Sequence, residues 1–133
     1  MESGTRPELF VADDLILGVL AYSSQANVLF RHNRKAFHEF FYAHRENSLV
    51  RKARIIFRQR GLFPESPQLD QAYSNLKSCE IVYSYGNSFN PNELSAQART
   101  DFLADIRKIF SSEELEEFRR IARDFQGQFG VST

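Results

Sequence analysis

The chain reads as mainly α with one small β-hairpin, about six helices around a single core. Three observations predict this. Apolar residues recur at helical spacing over most of the 133 residues. Capping signatures of Ser or Thr followed by an acid or Pro punctuate those runs. Only the stretch around Ile81 to Tyr85 alternates in the manner of a strand, and it leads into a Gly86-Asn87 turn.

The elements follow in order. Thr5-Arg-Pro-Glu8 has the form of a capping box with Pro in the first turn, where a missing N–H costs nothing. The helix it starts carries Leu9, Ala12, Ile16, Val19 and Leu20 on one face to about Tyr22, with Asp13 and Asp14 off it. Gly18 inside this run is read as permitting close packing. SSQANVLF is ambiguous, a loop containing the apolar run Val28-Leu29-Phe30. A second helix is expected from about Asn33 to His44, with Phe37, Phe40, Phe41 and His44 as its stripe. Ser48 caps a third, in which Leu49, Ala53, Ile56 and Phe57 face inward, and Gly61 ends it.

After the break FPESPQ, Ser66 with Pro67 gives an N-cap followed by an N1 proline. Leu69, Ala72, Tyr73 and Leu76 then carry a short helix to about Ser78. The hairpin comes next. Its return strand is short, because Pro91 cannot donate to a ladder. Ser95 caps a fifth helix with Ala98, Phe102, Ile106 and Ile109 inward. Ser111-Ser112-Glu113-Glu114 starts a sixth, with Leu115, Phe118, Ala122 and Phe125 buried and Gly127 closing it. Residues 1–126 therefore form one domain and 127–133 a flexible C-terminal tail.

Composition bounds the function. With 42% hydrophobic and 26% charged residues the chain has the make-up of a soluble globular domain, and 13 Phe with no Trp make its core depend on Phe. A length of 133 residues is enough to bury a core without disulfides or metals. One cysteine, Cys79, excludes an intramolecular disulfide and a Cys-based zinc site, and it is expected to be a buried packing residue. The first residues lack a signal-peptide pattern, and the longest apolar stretch, LILGVLAY, is too short to span a bilayer. A cytoplasmic protein with no membrane association and no cofactor is expected.

The zero net charge hides a polarity. Between Arg31 and Arg60 stand nine basic residues (Arg31, Arg34, Lys35, Arg45, Arg51, Lys52, Arg54, Arg58 and Arg60) against Glu39 and Glu46. That local surplus of +7 is balanced by −7 elsewhere. It suits a nucleic-acid face, an acidic protein partner, or simply the solvated side of two helices.

The stretch from Ser66 to Leu103 resembles the second half of winged helix-turn-helix domains: a helix with Leu76 near its end, a hydrophobic first wing strand, a turn, and a second strand running into a helix at Leu94-Ser95-Ala96-Gln97-Ala98. The likeness covers roughly residues 48–110. Ala98 stands where such domains often carry Gly, and Cys79-Glu80 replaces the Gly that commonly precedes the wing strand. The resemblance implies a winged-helix-like fold with the Pro67–Ser78 helix in the recognition position. Its exposed Gln68, Gln71, Ser74, Asn75 and Lys77 would then face a major groove, with Asn87 on the wing. Gln and Asn can read adenine bidentately. Glu65 and Asp70 make the helix start electrostatically poor for phosphates, so backbone contacts fall to Arg51, Lys52, Arg54 and Arg58 of the preceding helix.

Catalytic signatures are sparse. No Gly-x-Ser-x-Gly elbow, Gly-rich phosphate loop or His-Glu-x-x-His string is present. His38 and His44 fall on different faces, so a metal site with Glu39 is not expected. Arg31 and His38 have a spacing similar to the Arg-x4–6-His of HEPN ribonucleases, in which Arg stabilises phosphate charge and His assists proton transfer. Tyr83 and Tyr85 share a strand face that can stack on bases or cover the core.

The expectation is a non-enzymatic winged-helix-like protein that binds double-stranded DNA or regulates transcription, dimerising through its terminal helix from Ser112 to Gln126. Alternatives are a protein-interaction subunit of a nucleic-acid-handling or defence complex, meeting an acidic partner, and an HEPN-like ribonuclease.

Overall fold

A computed structural model of the chain describes residues 10–23, 29–59, 61–84 and 92–130. It is mainly helical, with a small antiparallel sheet. The elements are α1 (Ala12–Ala21), β1 (Leu29–Phe30), α2 (Arg34–Ala43), α3 (Ser48–Lys52), α4 (Pro67–Ser78), β2 (Val82–Ser84), β3 (Asn92–Leu94), α5 (Ala96–Ile109) and α6 (Ser112–Phe129).

Helix α1 is the central element, because it is apolar on nearly every side. Leu15, Ile16, Val19 and Leu20 are buried, and α3, α4, α5 and α6 all contact it. The Val11 N–H donates to the Asp14 carboxylate at 3.2 Å and closes its first turn. The capping box expected at Thr5 lies outside the described residues. Gly18 does permit close packing: a Cβ at this position would stand 2.2 Å from Cε1 of Phe118.

Leu29 and Phe30, from a run ambiguous in the sequence, form a third strand. Leu29 and Phe30 pair with Glu93 and Asn92, while Val82, Tyr83 and Ser84 pair with Leu94, Glu93 and Asn92. The strand order is β1-β3-β2. Val82 and Leu94 point into the core and Tyr83 points out. The expected Gly86-Asn87 turn, Tyr85 and Pro91 lie outside the described residues.

The third helix departs most from expectation. It starts at the Asn47 cap, whose Oδ1 accepts from Leu49 N at 2.8 Å, and ends at Lys52 rather than near Gly61. Arg54 adopts a left-handed φ of 57°, and Ile56, expected inward, is 67% exposed. Two causes act together. Ile55-Ile56 is β-branched and a poor helix former, and Gln68 of α4 takes over its backbone bonding. The Gln68 amide donates to Arg54 O at 2.8 Å and accepts from Ile56 N at 2.5 Å. Arg58 and Glu65 then exchange two backbone hydrogen bonds, at 2.7 and 2.9 Å, which close the loop between them.

Helix α4 spans the expected residues, with the buried Ser66 hydroxyl accepting from Leu69 N. Cys79 follows it at the C-cap and is exposed, contrary to expectation. The helix stops at Ser78, before the apolar stripe reaches another position. Ser95 caps α5 and Ser111-Glu114 forms the capping box of α6, both as expected. Ile109 is exposed rather than inward.

Helix α6 runs past Gly127 to Phe129, so the expected tail is partly structured. Phe129 is buried with its ring 4.6 Å from that of Phe125, and its carbonyl accepts from Arg31 N at 2.9 Å. Phe118, Ile121, Ala122 and Phe125 face the chain's own core. Phe30, Phe37, Phe41, Phe118 and Phe125 are fully buried, mostly meeting edge to face.

Candidate functional site

The polar face expected for α4 divides in two. Gln68 is committed to Arg54 and Ile56. Gln71 donates to Asn75 at 2.8 Å, and Asn75 donates to Asp13 of α1 at 3.0 Å. Gln68 and Asn75 thus tie α4 to other parts of the fold, and Gln71 pairs within its own helix. Ser74 and Lys77 are exposed. Asn87 lies outside the described residues.

The basic residues divide as well. Lys52 pairs with Glu114 at 3.0 Å, with its ammonium 4.9 Å from the Phe110 ring, and so ties α3 to α6. Lys35 pairs with Glu39, and the Arg45 guanidinium lies over Tyr42. Arg51, Arg54 and Arg58 are exposed, and none of the three has an ion pair among the described residues. Arg60 lies outside them. Next to these arginines Ile56 and Leu62 are exposed, Leu62 at 95%.

A cluster that the sequence reading did not assemble lies between α2 and the start of α4. Arg34 makes a fork to Asp70, Nε to Oδ1 at 2.9 Å and Nη2 to Oδ2 at 2.8 Å, and reaches Glu65 at 3.7 Å. His38 is 1% exposed and lies 3.0 Å from the same Asp70 oxygen through Nε2. Its Nδ1 accepts the backbone N–H of Ser66 at 2.9 Å. Because an amide can only donate, Nδ1 carries no proton and Nε2 carries the one that goes to Asp70. Burial holds the His38 pKa below its ordinary value against the pull of Asp70. The Arg34 hydrogen bonds hold the Asp70 carboxyl below its ordinary range, with His38 assisting. One signal was legible: Arg34 and His38 are four apart and share a helix face. Their partner on α4 was not.

Both ring nitrogens of His38 are thus hydrogen-bonded within the chain. Among the described residues no three of His, Cys, Asp and Glu come together as a metal-binding group. None of the described helices is long and apolar enough to cross a membrane.

Against this cluster opens a pocket of about 390 Å3, lined by His32, Phe37, His38, Leu69, Asp70, Tyr73, Ser74, Lys77 and Ser78. The His32 ring stacks on Tyr73 with centroids 3.9 Å apart and planes 9° from parallel. Desolvation where that ring stacks on Tyr73, with Lys77 nearby, takes the pKa of this exposed residue down to about 4, so it is neutral at pH 7. The Tyr73 hydroxyl accepts from the Asn92 amide, which fixes the pocket floor to β3, and burial raises its pKa. Ser74 and Lys77, expected to face a groove, thus face this pocket. No family model, curated protein or solved structure matches this chain.

Proposed function

We propose that the chain is a winged-helix-like DNA-binding protein with a regulatory role in the cytoplasm. In this reading α4 approaches a major groove and the segment after α3 grips the phosphate backbone. The element order supports it: a capped helix, a small hairpin and a following helix, with β3 also paired to a strand that precedes α2. Fold alone does not fix function. What carries the reading is where Arg54 and Arg58 sit. Gln68 pins the backbone of Arg54, and Glu65 that of Arg58, to the first turn of α4 and the residue before its cap. The backbone that carries two guanidiniums, neither in an ion pair among the described residues, is thereby held beside the end of the helix that such domains present to bases.

The acids that make this helix start poor for phosphate are offset within the fold, since Arg34 neutralises Asp70 and reaches Glu65. Reading of bases falls mainly to Ser74 and Lys77, because Gln68, Gln71 and Asn75 have partners in the chain. The test is a fluorescence-anisotropy titration against random duplex DNA. Binding at low salt that collapses at physiological salt supports the reading, and flat anisotropy at both salts removes it.

One observation favours a second reading, a protein-interaction subunit. Ile56 and Leu62 are exposed beside the same arginines, and apolar side chains gain nothing from a phosphate backbone. A partner with an acidic rim around an apolar centre would suit them. Stable co-purification of such a protein, with no DNA binding, would favour this alternative.

A further inference from the structure

The pocket between α2 and α4 sets Ser74 and Lys77 beside aromatic side chains that have no part in the DNA reading. Its walls are rings: Phe37 meets Tyr73 edge to face at 5.4 Å, and His32 lies flat on Tyr73. Its polar side comes from one helix. Ser74 and Ser78 are four residues apart, and Lys77 is three beyond Ser74, so two hydroxyls and an ammonium share a face of α4.

The charge balance identifies what fits. Asp70 lines the pocket, but its carboxylate is already held by Arg34 and His38. The buried His38 is neutral through its bond from Ser66. Lys77 has no carboxylate partner among the described residues, only the face of Tyr73 at 6.0 Å. One uncompensated positive charge, two hydroxyl donors beside it and aromatic walls therefore remain. The volume, about 390 Å3, lies at the lower end of the range for small-molecule sites.

We propose that this pocket binds a small aromatic monocarboxylate, with its ring against the exposed His32 and its carboxylate on Lys77, Ser74 and Ser78. A single negative charge matches Lys77, and a flat carboxylate can take a hydroxyl on either oxygen. The inference shares Ser74 and Lys77 with the DNA reading but does not rest on it, since it needs only the pocket and its own residues, and it is tested without DNA.

The experiment is an NMR titration of isotope-labelled protein, without DNA, with benzoate as probe and benzamide and inorganic phosphate as controls. Benzoate should give saturable shifts at His32, Tyr73 and Ser74, and benzamide should bind about tenfold more weakly, the scale of a lost charged hydrogen bond. Lys77→Gln, an exposed substitution, should weaken benzoate by a similar factor and abolish the preference over benzamide. Phosphate should leave the Tyr73 resonances unmoved. Absence of saturable benzoate shifts up to roughly 10 mM would overturn the proposal. So would equal binding of benzamide, equal binding by Lys77→Gln, or phosphate reproducing the benzoate shifts.

Discussion

The backbone N–H of Ser66 donates to Nδ1 of His38 across 2.9 Å, a buried contact between α2 and the cap of α4. This bond settles the ring's tautomer and sends its remaining proton to Asp70, which Arg34 grips from the other side. A buried histidine is thereby converted into a joint between two helices. Packing on α1 holds the body of α4, and this joint fixes its N-terminal end, beside the pocket and the Arg54 and Arg58 segment, to α2.

Replacing His38 should therefore cost stability. His38→Ala leaves the buried Ser66 N–H unpaired and opens a cavity, together about 2–4 kcal/mol. Asp70→Asn keeps a neutral acceptor beside the ring and should cost about 1 kcal/mol, because that side chain is partly exposed. Urea unfolding followed by circular dichroism measures both, and equal costs would contradict the joint.

Acid should loosen the fold before carboxylates protonate. His32 and His38 have folded pKa values below the ordinary 6.5, in His32 down to about 4. Between those values the unfolded chain binds more protons than the folded one, so stability falls as pH drops through this window. The Asp70 pKa is lowered as well, and its stabilising contribution is lost only as pH falls below the ordinary 3.8. Thermal midpoints taken from about pH 8 to 5 should decline, and His32→Asn should flatten part of the decline. A midpoint flat across that range would refute the assignment.

Gly18 should tolerate no side chain. The Phe118 ring that a Cβ would strike is fully buried among Phe10, Phe102 and Phe110 and has little room to move. Gly18→Ala should destabilise by about 1–3 kcal/mol despite its gain in helix propensity. Adding Phe118→Leu should restore part of that loss, which a double-mutant cycle reads directly.

Much of the fold was legible in the sequence, and the misses share a physical cause. Ser66-Pro67 and Ser111-Glu114 mark their helix starts because caps are local chemistry. The third helix was overextended because a side chain twelve residues past Ile56, the Gln68 amide, decides where it stops. Strand β1 was missed for the same reason, since two residues become a strand only when β3 lies beside them. The Arg34, His38 and Asp70 cluster joins two helices, and periodicity carries no information on which faces meet. Of the expected DNA contacts, Arg51, Arg54 and Arg58 remain exposed, whereas Lys52, Gln68, Gln71 and Asn75 are engaged within the fold.

Gln68 should control the segment that follows α3. Gln68→Ala removes both hydrogen bonds to the Arg54–Ile56 backbone and should cost about 1 kcal/mol of global stability at this exposed site. Its larger effect is local. Limited trypsin digestion should cut faster after Arg54 and Arg58, because the freed loop opens without global unfolding. Unchanged cleavage there would contradict the clamp.

The central claim, that Arg54 and Arg58 grip phosphates beside α4, is tested most directly by the salt dependence of duplex DNA binding in Arg54→Gly and Arg58→Gln. Arg54→Gly suits the left-handed φ of 57° better than arginine does, so loss of binding cannot be ascribed to unfolding. Each substitution should lower the slope of log affinity against log salt by about 0.9, and the pair by about twice that. Slopes identical to the parent protein, or no binding by the parent at low salt, would contradict the claim.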